Sequence, residues 1–178
     1  MLNKIDISPY NHFFKIYKNQ LIIGKSSNDQ ENYNQLIFCV RNAKKVIIPN
    51  FIDCIYPYAF HQCKAHDIEI ENDTKLDRIV KQSFYQSSIK KFKIPSNITR
   101  IGSYSFSECH QLRVVEFPED SKLQIIGKFS FSKSSIESIK IPSQVKQIKS
   151  NAFANCKRLR QIEFEHGSNL QLISYSAF

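Results

Sequence analysis

Glycine and proline are scarce in these 178 residues, four and six respectively, which excludes a collagen-like or loop-rich chain. Long apolar runs are missing too. The longest, Leu36 to Val40, has five residues, against the roughly 20 that a membrane helix needs. The opening stretch MLNKIDISPYNHFFK holds no apolar segment of signal-peptide length. An anchor or export signal is therefore expected outside this chain, or in an unconventional form. Catalytic signatures are absent as well: no P-loop, no G-x-G-x-x-G, no G-x-S-x-G and no H-E-x-x-H. No catalytic residue, metal or cofactor is expected.

What the chain does have is enough to build a core. Hydrophobic residues make up 42%, with 14 Phe and 8 Tyr, so the chain is not of disordered composition. The net charge is +9, from 25 Lys plus Arg against 16 Asp plus Glu. A basic balance favours acidic partners, but the lysines are spread over every repeat, as on a solvated exterior. That distribution argues against a nucleic-acid site.

The aromatic residues recur. Phe60, Phe84, Phe106, Phe131, Phe153 and Phe178 are separated by 24, 22, 25, 22 and 25 residues, and a fixed period in the twenties is the mark of a solenoid. The clearest unit runs from Glu137 to Leu159: Ile139-x-Ile141-Pro142, then Val145, Ile148, Ala152-Phe153, Cys156 and Leu159. It returns as Phe92-x-Ile94-Pro95, Ile98, Ile101, Ser105-Phe106, Cys109, Leu112, and as Val46-x-Ile48-Pro49, Ile52, Ile55, Ala59-Phe60, Cys63. Longer cousins lie between them, with two extra residues in a turn such as Glu119-Asp120-Ser121-Lys122. Insertion there costs little, since loop-closure entropy grows slowly.

Each unit parses into the same parts. I-x-I places two side chains on one face of a strand, and proline ends that strand because it has no N–H to donate. Glu71 and Glu165 take the proline's place in two units. A second short extended piece follows, and Ala-Phe or Ser-Phe before x-x-Cys suggests one helical turn. A lone unit cannot bury enough to offset the entropy of ordering it, so units fold in runs.

Residues 1–43 lack the repeat and are expected to cap the solenoid, whose six units fill 44–178 with the last one truncated. Phe13–Tyr17 and Leu21–Ile23 read as strands of a hairpin turning at Lys18-Asn19-Gln20. Lys25 to Asn34 reads as an exposed polar loop and Leu36 to Val40 as a third strand. At the other end the sequence stops on the aromatic mark without a polar cap. Either further repeats continue the array, or the open end stacks on another chain.

Cys63, Cys109 and Cys156 hold one repeat position in alternate units. At about 4.8 Å per rung they stand about 10 Å apart, beyond the roughly 7 Å between Cα atoms that a disulfide allows. They are expected as reduced, buried thiols. Cys54, between Ile52 and Ile55, is expected to face outward, and a link from Cys39 to another cysteine stays open. Cys63 with His66 and Cys109 with His110 have no partners at ligand spacing, and Lys157 follows the third equivalent.

The outward strand positions form two columns. One reads Ile47, Glu69, Lys93, Glu116, Lys140, Glu163 and the other Lys45, Asp67, Lys91, Val114, Ser138, Gln161. Acid and base alternate along five rungs of the first, which places opposite charges beside one another across the ladder. This face, with Lys90, Arg113 and Arg160 at its edge, is the candidate surface for a protein partner; the alternative is that the charges only keep the sheet soluble and in register. Two N-x-S/T sequons, at Asn72 and Asn97, fall in turns that could carry glycans if the chain is secreted.

The pattern L-x-x-I-x-I-P, V-x-x-I-G, A-F-x-x-C over residues 43–178 resembles the BspA-like leucine-rich repeats of bacterial surfaces and protozoan parasites. The Gly after the second Ile survives only as Gly102 and Gly127, and Ser87 and Ser134 replace Cys in the even units. The resemblance implies a curved solenoid of short β-strands and short helical turns, expected to stack in right-handed rungs. It also implies non-catalytic binding of a protein or host-surface ligand, as an adhesin or antigen at a cell surface. The missing signal peptide and unpaired thiols favour a rival reading, an intracellular interaction scaffold in the cytoplasm.

Overall fold

The computed structural model describes residues 5–27 and 31–178. Residues 1–4 of the expected cap and 28–30 of the expected polar loop lie outside the described residues. The chain winds into a solenoid in which each turn is a rung and each rung repeats the same three sides.

The first side begins with β1 (Phe14–Tyr17) and β2 (Leu21–Gly24), an antiparallel hairpin, followed by β3 (Gln35–Cys39). Lys18 and Asn19 make its turn with positive φ. β3 runs antiparallel to β2 but parallel to the first repeat strand beyond it. From there, longer strands alternate with two-residue strands. They are β4 (Lys45–Ile48), β5 (Cys54–Ile55), β6 (Asp67–Ile70), β7 (Arg78–Ile79), β8 (Lys91–Lys93), β9 (Arg100–Ile101), β10 (Val114–Glu116) and β11 (Ile125–Ile126). β12 (Ser138–Ile141), β13 (Gln147–Ile148), β14 (Gln161–Phe164) and β15 (Leu172–Ile173) complete the series. The short strands join the hairpin in one nine-stranded sheet, ordered β1-β2-β3-β5-β7-β9-β11-β13-β15. The longer strands make the second side, as a sheet ordered β10-β8-β6-β4 and a pair β12-β14. Every rung-to-rung pairing is parallel.

The third side is the aromatic turn, and here the structure differs from the helical turn expected. The residues two before each phenylalanine of the series, and two after each from Phe60 to Phe153, sit in left-handed backbone, from φ 50° at Ser176 to φ 61° at Tyr58. A left-handed residue every fourth position stops a helix from propagating. The freed N–H groups turn along the solenoid axis instead. Phe60, Phe84, Phe106, Phe131 and Phe153 each donate to a carbonyl of the next rung, at 2.7–2.8 Å. The turns thus form a third hydrogen-bonded ladder.

Inside, the phenylalanines align in a single column. Phe60 and Phe84 stack with centroids 4.7 Å apart, and the later steps measure 4.8, 5.3, 5.3 and 5.5 Å out to Phe178, with rings within 10° of parallel. Ile and Val from both sheets close around them. Ahead of the first repeat, Cys39 takes the backbone place of the column, donating its N–H to Ala59 O at 2.9 Å. Arg41 covers the same carbonyl end, its guanidinium reaching Ala59 O at 3.1 Å and Tyr58 O at 3.2 Å.

All five cysteines are free thiols. Cys109 Sγ donates to Phe84 O at 3.0 Å and Cys156 Sγ to Phe131 O at 3.0 Å, with Ser87 and Ser134 interleaved at 3.4 Å from the sulfurs. Cys39 and Cys63 face each other, sulfurs 3.7 Å apart. Cys54 corrects the outward expectation: it is only 4% exposed. Strand alternation gives it the outer direction, but in register it lies between Gln35 and Arg78, and a short thiol between two long side chains is shielded by them.

Two glycines mark where rungs approach most closely. A Cβ on Gly102 would lie 2.5 Å from the Val80 carbonyl carbon, and one on Gly127 would lie 2.5 Å from Ile101 O.

Candidate binding face

The longer strands turn every second side chain outward, and parallel pairing lines those side chains up. Ile47 sits beside Glu69, Lys93 beside Glu116, and Lys140 beside Glu163; in the other column Lys45, Asp67, Lys91 and Val114 follow in step, as do Ser138 and Gln161. Eleven of the twelve are exposed, and Glu116 is half-buried. The two columns expected from the sequence therefore share one face.

The ion pairs on this face do not run along the columns. Lys45 Nζ reaches Glu69 at 2.8 Å and Lys91 Nζ reaches Glu116 at 2.6 Å, both diagonally across columns. Lys140 turns to Glu165 at 3.6 Å, and Glu163 accepts from Gln161 Nε2 at 2.6 Å. Among the described residues Lys93 has no ion-pair partner. A lysine stem is long enough to pass its in-register neighbour, so Cα register does not decide where the ammonium lands. The hydrogen bond that Lys45 donates to Glu69 raises the lysine's pKa above its ordinary value. Such exposed pairs contribute little stability.

Charge separates along the strand direction. At the strand starts a hollow of about 470 Å³ is lined by Lys90, His110, Arg113 and Arg158, with Glu137 bridging Arg113 at 3.6 Å and Arg158 at 3.8 Å. Arg160, expected at this edge, is exposed and donates its N–H to Glu137 O at 2.9 Å. Along β6 and β8 and past their ends a cleft of about 730 Å³ opens, lined by Asp67, Glu69, Glu71, Asp73 and Asp120 against Lys91 and Lys93. Asn72 and Asn97 line the same cleft, both exposed. A glycan on either would fill it.

The glutamates in the proline position have a role that the sequence alone leaves unread. Glu71 accepts the N–H of Asn50 at 3.1 Å, and Glu165 that of Ser143 at 3.0 Å, each one rung back. Their own N–H groups donate to Ile48 O and Ile141 O, the bonds a proline cannot make.

The cysteine–histidine neighbours diverge. Cys63 and Cys109 point into the core, while His66 and His110 are exposed. Among the described residues no three His, Cys, Asp or Glu side chains stand where they could hold a metal ion. No helix among the described residues is long and apolar enough to cross a membrane.

Comparison with known proteins agrees with this geometry. The family model of the BspA type leucine rich repeat region matches in six copies, over residues 12–88 and 77–178. No curated protein matches the chain. Among solved structures, a leucine-rich repeat protein from Eubacterium ventriosum is similar, with TM-score 0.81 and 18% identity over 99% of this chain and 52% of its own. The pneumococcal vaccine antigen PcpA is similar with TM-score 0.73 and 19% identity, over 88% of this chain and 51% of its own. The Treponema pallidum leucine-rich repeat protein TpLRR has TM-score 0.68 and 20% identity, over 96% of this chain and 86% of its own. The chain thus spans about half the length of the first two of these. At such identities the likeness is one of fold.

Proposed function

The chain belongs to the BspA-type leucine-rich repeat family, and from that premise we propose that it binds a protein partner through its strand face, as an adhesin or antigen at a cell surface. The observation that carries this reading is the polarity of the face. A basic hollow lies beside the strand starts, and an acid-rich cleft takes in the column residues Asp67, Glu69, Lys91 and Lys93 and continues past the ends of β6 and β8. Complementary charge orients an incoming partner and speeds its encounter more than it tightens the complex. A partner would lay a basic segment in the cleft and an acidic one at the opposite edge. The fold likeness to a pneumococcal vaccine antigen supports the surface location.

The test has two arms. Antibody against the chain should label intact, unpermeabilised cells. The purified chain should bind a cell or matrix layer in a salt-sensitive way, and combined Lys93→Glu, Lys140→Glu and Glu116→Lys should remove most of that binding with the thermal melt unchanged. Undiminished binding by the triple variant would place the partner's site elsewhere.

A second reading has its own observation. Five free thiols, two of them with sulfurs 3.7 Å apart and unjoined, suit a reducing compartment. An intracellular interaction scaffold would use the same face, and labelling seen only after permeabilisation would select it.

A further inference from the structure

The aromatic turns present a second surface, away from the strand face. One position after each core phenylalanine stand His61, Tyr85, Ser107, Ser132 and Ala154. Tyr85 stacks on His61 at 5.5 Å, its ring within 6° of parallel. The next three members are small, so the row of rings stops at Tyr85 and a trough of about 400 Å³ opens beyond it. Tyr104 stacked on Phe129, at 4.7 Å and 9°, makes one flank. Glu108 and Lys133, paired at 3.0 Å, make the other.

The chemistry of the trough narrows what can occupy it. Its volume is in the range of small-ligand sites. Lys133 is committed to Glu108, and Glu108 also accepts from Gln86 Nε2 at 2.8 Å, so neither charge is free for an ionic ligand. The floor offers no backbone to an extended peptide, because the N–H groups of Ser107, Ser132 and Ala154 donate within their own turns and the carbonyls accept from the preceding rung. What is free is neutral. The side-chain amides of Gln82, Asn151 and Asn155 border the trough and have no partner among the described residues; each carries two donors and an acceptor. Aromatic rings beside free amides suit a molecule with an apolar C–H face and a rim of hydroxyls.

The backbone adds an independent observation. Tyr104 and Phe129 hold left-handed φ of 58° and 55°, where a bulky side chain is a poor choice. Asn151 and Ser176 hold the same place in later rungs, so the fold itself does not require rings there.

We propose that this trough is a carbohydrate-binding site for a neutral oligosaccharide, whose sugar rings pack against Tyr85, Tyr104 and Phe129 while Gln82, Asn151 and Asn155 take its hydroxyls. The site is independent of the strand face and of any partner bound there.

The experiment exposes the whole chain to a printed set of neutral gluco-, manno-, galacto- and N-acetylglucosamine oligosaccharides beside sialylated and sulfated ones, then titrates the best binder. A neutral glycan is expected to bind. Tyr85→Ala and Tyr104→Ala should each weaken it about tenfold, the scale of one aromatic contact. Asn155→Ala, at an exposed side chain with no partner among the described residues, should weaken it about fivefold, with a thermal melt to separate lost contact from the strain of alanine in left-handed backbone. His166→Ala, in an exposed turn elsewhere, should bind like the parent. Binding to no neutral glycan, binding confined to the anionic ones, or neutral binding unchanged in Tyr85→Ala and Asn155→Ala would each overturn the proposal.

Discussion

Phe106→Ala tests the column that the fold depends on. The Phe106 ring is fully buried, stacked on Phe84 at 4.8 Å and Phe131 at 5.3 Å, with Phe92 tilted against it at 5.3 Å. Truncation removes the transfer energy of the ring and leaves a cavity, together costing about 3–5 kcal/mol. The upper half of that range is expected here, because the rungs on either side are tied by Phe84 N–Ser105 O at 2.8 Å and Phe106 N–Ser130 O at 2.7 Å and cannot close the gap. For a domain of this size each kcal/mol moves the midpoint by about 2–4 °C, so Tm should fall by about 8–20 °C in a melt followed by circular dichroism. Phe178→Ala supplies the contrast. Its ring is 48% exposed and stacks on Phe153 alone among the rings, at 5.5 Å, so its loss should cost about 1 kcal/mol. Equal shifts for the two variants, or no shift for Phe106→Ala, would refute a column that shares its load between neighbours.

Two further outcomes follow from the ends and the interior of the stack. Arg41→Ala leaves Ala59 O and Tyr58 O without the guanidinium that reaches them; charged hydrogen bonds of this kind are worth about 1.5–3 kcal/mol, and a urea titration should show a loss of that size, with Arg41→Lys recovering less than half because lysine lacks the planar fork. Burial pushes the Cys109 thiol up to about 12 from an ordinary value of 9.0. Above the ordinary value the unfolded chain gives up this proton and the folded one keeps it. Its contribution is therefore whole below pH 9.0 and drains away as pH rises toward about 12. Cys109→Ser, which places in this rung the residue that Ser87 and Ser134 supply in theirs, should flatten that alkaline decline; superimposable profiles would count against a buried thiol.

The interior was legible in the sequence because it has to repeat. Every rung meets a copy of itself above and below, so Phe60 to Phe178 could be read as one column and I-x-I as one strand. The outward columns were legible for the same reason, down to the register that sets Lys93 beside Glu116 and Lys140 beside Glu163, while the ion pairs, which depend on where long side chains reach, were not. The aromatic turn was not. Left-handed backbone is usually announced by Gly or Asn, and here Tyr58, Gln86, Glu108, Phe129 and Lys133 adopt it, held there by hydrogen bonds to other rungs that no local pattern encodes. Cys54 failed for a related reason: alternation gives a direction, while burial depends on how long the neighbouring side chains are. The caps made by Glu71 and Glu165 did leave a signal. The same substitution at the proline position in two units was a hint that a side chain does there what the ring cannot.

The solenoid separates the residues that hold it together from those that can recognise something. Inward positions are fixed by the rung on each side, and changing one disturbs two neighbours. Outward positions meet their neighbours only through exposed side chains, pairing along or across columns, so any residue that tolerates the backbone can stand there. A left-handed site occupied by a bulky residue costs on the order of 1 kcal/mol or more. Tyr104 and Phe129 both hold such sites, and their one stacking contact returns about 0.5–1.5 kcal/mol, which offsets only part of the two costs. Tyr58 is 44% exposed, with only an edge contact to His61 at 5.6 Å, and recovers less. Folding alone would favour Asn at all three places, as at Asn151. Rings kept on the outside at that cost are explained by what they meet in solution, and on this molecule they cluster beside the trough, whose two charges are paired with each other, instead of the charged strand face.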